Sequence, residues 1–408
     1  MIYVHKASVL RENEKLKVNC EIDIDGERRT LFFIVDAAYE VYITVDRADA
    51  FLVMLFYFAM RDGHDLVFES PLSEQLLYQV ETYLVDALHK ANPSYRKINI
   101  TCPYTEREGY GGSAVGTAMS CGVDSLYTLL AHRAKEVPGG FHVTHLTFFN
   151  VGGFQYDDGL AAVTKDGEDL YTAQLRTVQA FASEAELPLL VVDSNLGSCF
   201  VINHILVHVF RNCGTILLFQ RLFGVYYYSS GITLDHFSCS PDDDAAHYDL
   251  YSAPLLSTES THFYQFSPTD GKFEKIVAIK DDPLAQKYLL VCPREARNCG
   301  TCIKCTRTLT ALDGLNALQN FSGVFDLKQY QKTRTYQIGF AAANRRTGRY
   351  REIYLQLKKE RKIPLFSWVY ATGFWLLHPL EKWLLSLPPE RKRAATQLAK
   401  KLNIRMPW

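Results

Sequence analysis

Ser120-Cys121-Gly122-Val123-Asp124-Ser125 is the stretch on which the reading of this chain turns. Residues 114–119 before it form a short run of small and apolar side chains, and Leu126-Tyr127-Thr128-Leu129-Leu130 after it reads as helix. A turn of small residues between a strand and a helix presents unpaired backbone N–H groups and the positive end of a helix dipole, a geometry that holds phosphate oxygens. Ser120 and Ser125 can donate hydroxyl hydrogen bonds to such a group. The carboxylate of Asp124 would repel phosphate, so its expected work is to bind Mg²⁺ or to orient the loop. Cys121 is small, but it carries a Cβ and disfavours positive φ.

Working outward, residues 113–325 alternate strands and helices. His145-Leu146-Thr147-Phe148-Phe149 has the pattern of a buried strand, residues 171–185 read as a helix, and residues 189–192 as another strand. Helices between short apolar strands predict a parallel sheet with crossover connections. The fold class expected is α/β, a Rossmann-like sheet with flanking helices. Residues 1–112 read as a separate α+β domain. Strands are expected over 18–24 and 30–35 around Asp25-Gly26, and amphipathic helices over 47–60 and 73–92. Gly109, Gly111 and Gly112 mark a loop and a boundary.

Residues 326–408 form a third region of different texture, with 18 Lys and Arg against 5 Asp and Glu, a net of +13. The remainder holds 26 basic and 40 acidic residues, a net of −14, so the whole-chain charge of −1 hides a basic tail on an acidic body. Such a tail suits an anionic partner or docking on the body. Phe366, Trp368, Tyr370, Phe374, Trp375 and Trp383 crowd one part of it. Aromatics at helical spacing usually build a core. A lipid surface, a nucleic acid or a protein partner are the sharper readings. The apolar stretch 364–377 is too short to cross a bilayer, which needs ~20 residues.

The ten cysteines are not spread as a disulfide scaffold. Without a secretory leader pattern at the start, the expectation is a cytoplasmic protein with reduced thiols. Four of them crowd together as Cys292, Cys299, Cys302 and Cys305, with Gly300 allowing a tight turn. Zn²⁺ takes four thiolates at about 2.3 Å in a tetrahedron, and Cys-x-x-Cys turns supply them. With no ligand position left open, such a zinc is structural. A redox pair and an iron–sulfur cluster are the competing readings. No Gly-Lys-Ser/Thr phosphate loop, Gly-x-Gly-x-x-Gly turn or Gly-x-Ser-x-Gly elbow occurs in the chain.

The loop resembles the PP-loop signature Ser-Gly-Gly-x-Asp-Ser of ATP pyrophosphatases, with Cys121 at the first glycine. GMP synthetase, asparagine synthetase, tRNA thiolation enzymes and the QueC family share that signature. Cys-x(6)-Cys-Gly-x-Cys-x-x-Cys, followed closely by Arg307, is similar to the zinc motif of QueC, the 7-cyano-7-deazaguanine synthases. Arg211-Asn212, Tyr227-Tyr228-Ser229-Ser230-Gly231 and Pro254-Leu255-Leu256 resemble further elements of that family in the same order. The resemblance covers residues 115–310, and the regions on either side have no counterpart in it.

The resemblance implies ATP, Mg²⁺ and Zn²⁺ as cofactors. It implies ATP contacts at Ser120, Cys121, Gly122, Val123, Asp124, Ser125, Phe149, Asn150, Asn212 and Gly231. Asp124, Lys275 and Arg211 take catalytic roles, the two cations neutralising pyrophosphate as it leaves. The implied reaction activates a carboxylate, 7-carboxy-7-deazaguanine or a related base, as an adenylate. An amine then displaces AMP to give an amide and, after a second activation, a nitrile. A homodimer is also implied. The amine stays open between free ammonia and a protein amine, as in antiviral QueC-like systems, and the two extra regions would suit a protein partner. The rival readings are a tRNA-thiolating enzyme and a non-catalytic nucleic-acid-binding protein. His204, His208, His236, His247 and residues 242–244 are further candidates to line a pocket, although histidines beside apolar runs are commonly structural.

Overall fold

The computed structural model describes residues 1–156, 159–165, 167–240 and 244–385, except the side chains of 377–385. Asp242, Asp243, the Trp383 side chain and residues 386–408 of the basic extension lie outside that description. The chain forms two compact units, Met1–Asn298 and Cys299–Trp408.

The first unit is built on one sheet of eleven strands. In chain order these are β1 (Ile2–Val4), β2 (Ser8–Glu12), β3 (Lys15–Ile24), β4 (Glu27–Asp36), β5 (Leu66–Phe68), β6 (Ile100–Thr101), β7 (Ala114–Ala118), β8 (His145–Asn150), β9 (Leu189–Ser194), β10 (Phe223–Ser229) and β11 (His262–Phe266). Across the sheet they run β11-β10-β7-β8-β9-β4-β3-β1-β5-β6, with β2 paired to β3. The five strands β7 to β11 are all parallel. Their order, β9-β8-β7-β10-β11, places the third, second and first of the set beside the fourth and fifth. The chain therefore reverses direction across the sheet between β7 and β10. Ligands of open α/β sheets bind at such a switch point, beyond the carboxyl ends of the strands. This architecture is α/β, with a mostly parallel central sheet and flanking helices, and is compatible with a Rossmann-like fold.

The sequence expectation of a separate domain over residues 1–112 does not match the sheet. β4 pairs antiparallel with β9, Asp193 opposite Ile34 and Ser194 opposite Phe33. The N-terminal strands thus continue the same sheet. One buried cluster joins Ile2, Val18, Phe33 and Phe56 to Phe210, Phe223 and Phe263. The reason is an edge that must be covered: unpaired backbone groups on β9 are satisfied by β4. The division the molecule draws lies instead at Asn298.

The helix Asp49–Asp62 sits inside this core. It is buried from Asp49 to Met60 on all sides, where the sequence suggested an amphipathic helix. It packs against the helix His204–Leu217, with Phe56 and Phe210 edge to face at 4.9 Å. A Cβ at Gly214 would lie 2.6 Å from Met54 Cγ, so only glycine allows that approach. Strands β3 and β4 form the expected hairpin, and Asp25 and Gly26 have φ of 50° and 93°. Both values suit the primed turn that right-twisted hairpins favour.

The second unit is helical among its described residues: Ile303–Gly314, Leu327–Ala343, Gly348–Lys359 and Ser367–Leu385. Its aromatics pack largely on one another. Phe374 meets Tyr336 at 5.3 Å and Phe340 at 5.1 Å, and Arg345 lies over Trp375 at 4.5 Å. Phe366 stands apart among the described aromatics, at 73% exposed. No helix among the described residues is long and apolar enough to cross a membrane.

Candidate functional site

β7 ends at Ala118 and the helix Val123–Ala131 begins four residues after Met119. Between them, Ser120 to Gly122 make the turn at the switch point. Cys121 adopts φ 56°, the left-handed conformation that glycine takes without strain. A non-glycine residue in that region costs roughly 1–2 kcal/mol. The turn tolerates it because the cysteine is fully buried and its carbonyl accepts from Leu290 N at 2.8 Å. Burial pushes the Cys121 thiol up to about 12, so it is a protonated, unreactive group at neutral pH.

Gly122 opens the helix, and no side chain caps it. Ser125 Oγ donates to Gly122 O at 3.1 Å and stands 3.4 Å from Ser120 Oγ. Val123 is buried beneath the turn. The loop therefore faces solvent at the carboxyl end of β7 with an uncapped helix start.

Asp124, in the first turn of that helix, meets two lysines. Lys272 binds its Oδ2, and Lys275 Nζ lies 3.2 Å from its Oδ1. Lys275 also donates to Ser230 O at 2.7 Å and is 3% exposed. Both lysines sit on the helix Lys272–Ile279, three residues apart and so on one face. Burial presses the Asp124 carboxyl toward protonation, but the two ammonium groups outweigh it and hold the acid below its usual range. Ser230 and Gly231 follow β10, the strand on the other side of the switch point. The structure thus gathers Ser120, Gly122, Asp124, Ser125, Lys275 and Ser230 around one point, and Gly231 comes next in the chain.

Lys272 went unnoticed in the sequence. The signal available was Gly271-Lys272-Phe273-Glu274-Lys275, two lysines one helical turn apart behind a glycine.

Other candidates lie elsewhere. Arg211 and Asn212 belong to the helix His204–Leu217. Arg211 donates to Val151 O at 3.3 Å and Phe200 O at 2.5 Å, and neither bond reaches the Asp124 cluster. Asn212 donates to His208 O within its own helix. Phe149 is buried in β8, and Asn150 donates to Asp193 Oδ1 at 2.7 Å. Of the histidines, His208 bonds Tyr228 OH and Asp244 Oδ1, while His236 is half exposed. His247 lines a small cavity of 10 Å³ with Asp249 and Gln265.

Asp249 is a second residue that the sequence did not single out. It is buried, its Oδ1 accepts from Ser230 Oγ and Gln265 Nε2 at 3.2 Å each, and its Oδ2 has no partner. Burial pushes its carboxyl up to about 7.

The four cysteines converge as their spacing suggests. One sulfur from each of Cys292, Cys299, Cys302 and Cys305 lies within 4.8 Å of the others, and Cys299 and Cys305 are 3.9 Å apart. Four sulfurs about 2.3 Å from a common centre would be separated by about this much. Gly300 takes φ 67° in the turn. Cys302 N donates to Cys299 Sγ at 3.2 Å and Cys305 N to Cys302 Sγ at 3.5 Å, contacts that favour thiolates. The four could hold a metal such as zinc.

Comparison with protein-family models, curated proteins and solved structures finds no match to this chain.

Proposed function

We propose that this chain is a PP-loop, HUP-type ATP pyrophosphatase that activates a carboxylate as an adenylate, as QueC-like enzymes do. The observation that carries the reading is the union, at the switch point of the sheet, of an uncapped helix start with Asp124, Lys272 and Lys275. A triphosphate laid on the turn would meet N–H donors from the loop and two ammonium groups from the facing helix. The loop donors are in place before substrate arrives, and the two ammonium groups stand within reach of the phosphates and need only turn from Asp124 to offset their charge.

In this reading the substrate carboxylate attacks the α-phosphorus and pyrophosphate leaves. The adenylate then has AMP as its leaving group, and an amine displaces it to give an amide. Asp124 orients the two lysines and lowers the cost of keeping Lys275 buried. Mg²⁺, when bound with ATP, would offset phosphate charge, with Asp124 as its candidate ligand once the lysines turn to the phosphates. Ser120 and Ser125 supply hydroxyl donors. A zinc held by the four cysteines would be structural, since four thiolates leave no ligand position open.

The buried, protonated thiol of Cys121 counts against a thiolation role, which needs an accessible thiolate. The test is to incubate the protein with ATP, Mg²⁺ and 7-carboxy-7-deazaguanine, with and without ammonium, and to measure AMP. AMP release that depends on the base supports adenylation of that acid. ATP binding without AMP release would retain the nucleotide site and remove the deazaguanine substrate.

A further inference from the structure

A second polar cavity lies beyond the carboxyl ends of β8 and β9. Its volume is 210 Å³, and its walls include Gly152, Gly153, Gln155, Gly197, His204 and Arg211. Three glycines there make room. Gly152 has φ 104°, and a Cβ on it would run into Arg211 Nη1. A Cβ on Gly197 would run into Gln155 Oε1, and one on Gly153 would press on the His204 ring at 3.0 Å. Side chains at these positions would displace the polar groups that line the space.

Those polar groups are incompletely paired. Arg211 is 2% exposed and, among the described residues, its hydrogen bonds go to two backbone carbonyls. Among the described residues no carboxylate pairs with it, and its guanidinium is held down to about 10 by burial and then by Arg61. Gln155 Oε1 and His204 Nδ1 are buried with no hydrogen-bond partner among the described residues. Burial holds His204 neutral, well below the usual histidine range. A buried cation with no acid among the described residues, and two buried polar atoms without partners there, each carry a desolvation cost. Each cost falls when a ligand of matching chemistry enters.

We infer that this cavity binds a small molecule carrying a carboxylate for Arg211 and a nearby N–H donor for Gln155 Oε1. The guanidinium keeps N–H groups beyond the two it spends on carbonyls, and carboxylates match its fork. The neutral imidazole of His204 accepts or donates one further bond, according to tautomer. The volume suits a single heterocyclic acid rather than a peptide or nucleic acid. The assignment stands apart from the adenylation reading, because this binding needs neither ATP nor the loop.

The probe is pyrrole-2-carboxylate, which carries both groups, titrated into the full chain without nucleotide and followed by ligand-observed NMR and calorimetry. Expected is saturable one-to-one binding with a Kd of about 1 mM or tighter. Pyrrole-2-carboxamide, without the charge, and furan-2-carboxylate, without the donor, should each bind about tenfold more weakly. Gln155→Leu, close in size and away from the core, should erase the preference for pyrrole over furan while leaving the melting temperature unchanged. Arg211→Lys, which keeps the charge but loses the fork, should weaken the acid severalfold more than the carboxamide. Absence of saturable binding, or equal binding of acid and carboxamide, overturns the proposal. Failure of AMP release in the assay above does not bear on it, so the two readings fail separately.

Discussion

Lys275 and Arg211 are two buried cations of the same unit, and the fold holds them in opposite ways. Lys275 stands 3.2 Å from a carboxylate and 2.7 Å from a carbonyl. Arg211 has two carbonyls and, among the described residues, no acid. The sequence offered both for one task, neutralising pyrophosphate. Their surroundings assign them to different places. The lysine is compensated and stands at the switch point beside the loop, where a phosphate could take over from Asp124. Among the described residues the arginine has no acid beside it, and it lines a cavity whose described walls carry no carboxylate. Asp249 is the acidic counterpart of Arg211, buried with one oxygen unpartnered and its carboxyl raised to about 7. A buried charge with a partner belongs to a finished network, whereas one without a partner points to a ligand or to a group kept neutral.

Asp124→Ala breaks the compensated pair and should have the largest effect. It takes the carboxylate away from two ammonium groups, one of which, that of Lys275, is buried and keeps only a carbonyl partner among the described residues. Unfolding by urea should show a loss of about 3–5 kcal/mol. AMP release should fall by on the order of 10²–10³-fold. If stability falls by less than about 1 kcal/mol, Lys275 was not relying on Asp124, and the contrast with Arg211 dissolves.

Asp249→Asn tests the uncompensated acid. Its folded pKa lies above the unfolded value of 3.8, so the protonated form is favoured in the fold. Relative stability from this group is therefore full below the unfolded value and is lost as pH rises toward about 7. The asparagine variant should gain about 4 kcal/mol over the parent above that pH and nothing near pH 4. Denaturant melts across pH 4 to 8 check the sign, and a gain independent of pH would mean the acid is ionised throughout.

Arg211→Met should cost less than Asp124→Ala. It orphans two carbonyls but leaves no charge behind, so about 1–3 kcal/mol is expected from the same unfolding measurement. A larger loss would reveal an acidic partner. The smallest effect belongs to Cys121→Gly, which relieves left-handed backbone strain and removes a buried side chain. These oppose each other, and a net change within about 1 kcal/mol is expected, with AMP release retained. A collapse of activity would mean that the cysteine side chain, rather than the backbone turn, shapes the phosphate loop.

Much of this was legible along the chain. The strand, turn and helix around Ser120 appear where local pattern put them, as do β8, β9 and the helix Leu170–Glu184. The cysteine cluster was readable because three of its members are three residues apart. Lys272 was missed because a lysine at a helix start looks like any solvated charge until Asp124, 148 residues earlier, is brought to it. The buried helix Asp49–Asp62 was misread as amphipathic because an apolar run does not say how many of its sides will be covered. The domain boundary at Gly112 was placed by local loop signals, which carry no information about which strand will cover the edge of β9.

The sequence by itself determined the elements whose physics is local: strand and helix periods, the small-residue turn, the Asp25-Gly26 hairpin and a four-thiol cluster closed by short loops. Only the tertiary structure decided which charges meet. It set Lys272 and Lys275 against Asp124, left Arg211 facing a cavity, buried Asp249 beside Ser230 and joined the N-terminal strands to the parallel sheet. The physical reason is that charge energetics depend on distance and desolvation. Both are fixed by packing between residues far apart in the chain, and neither is written in the spacing of residues along it.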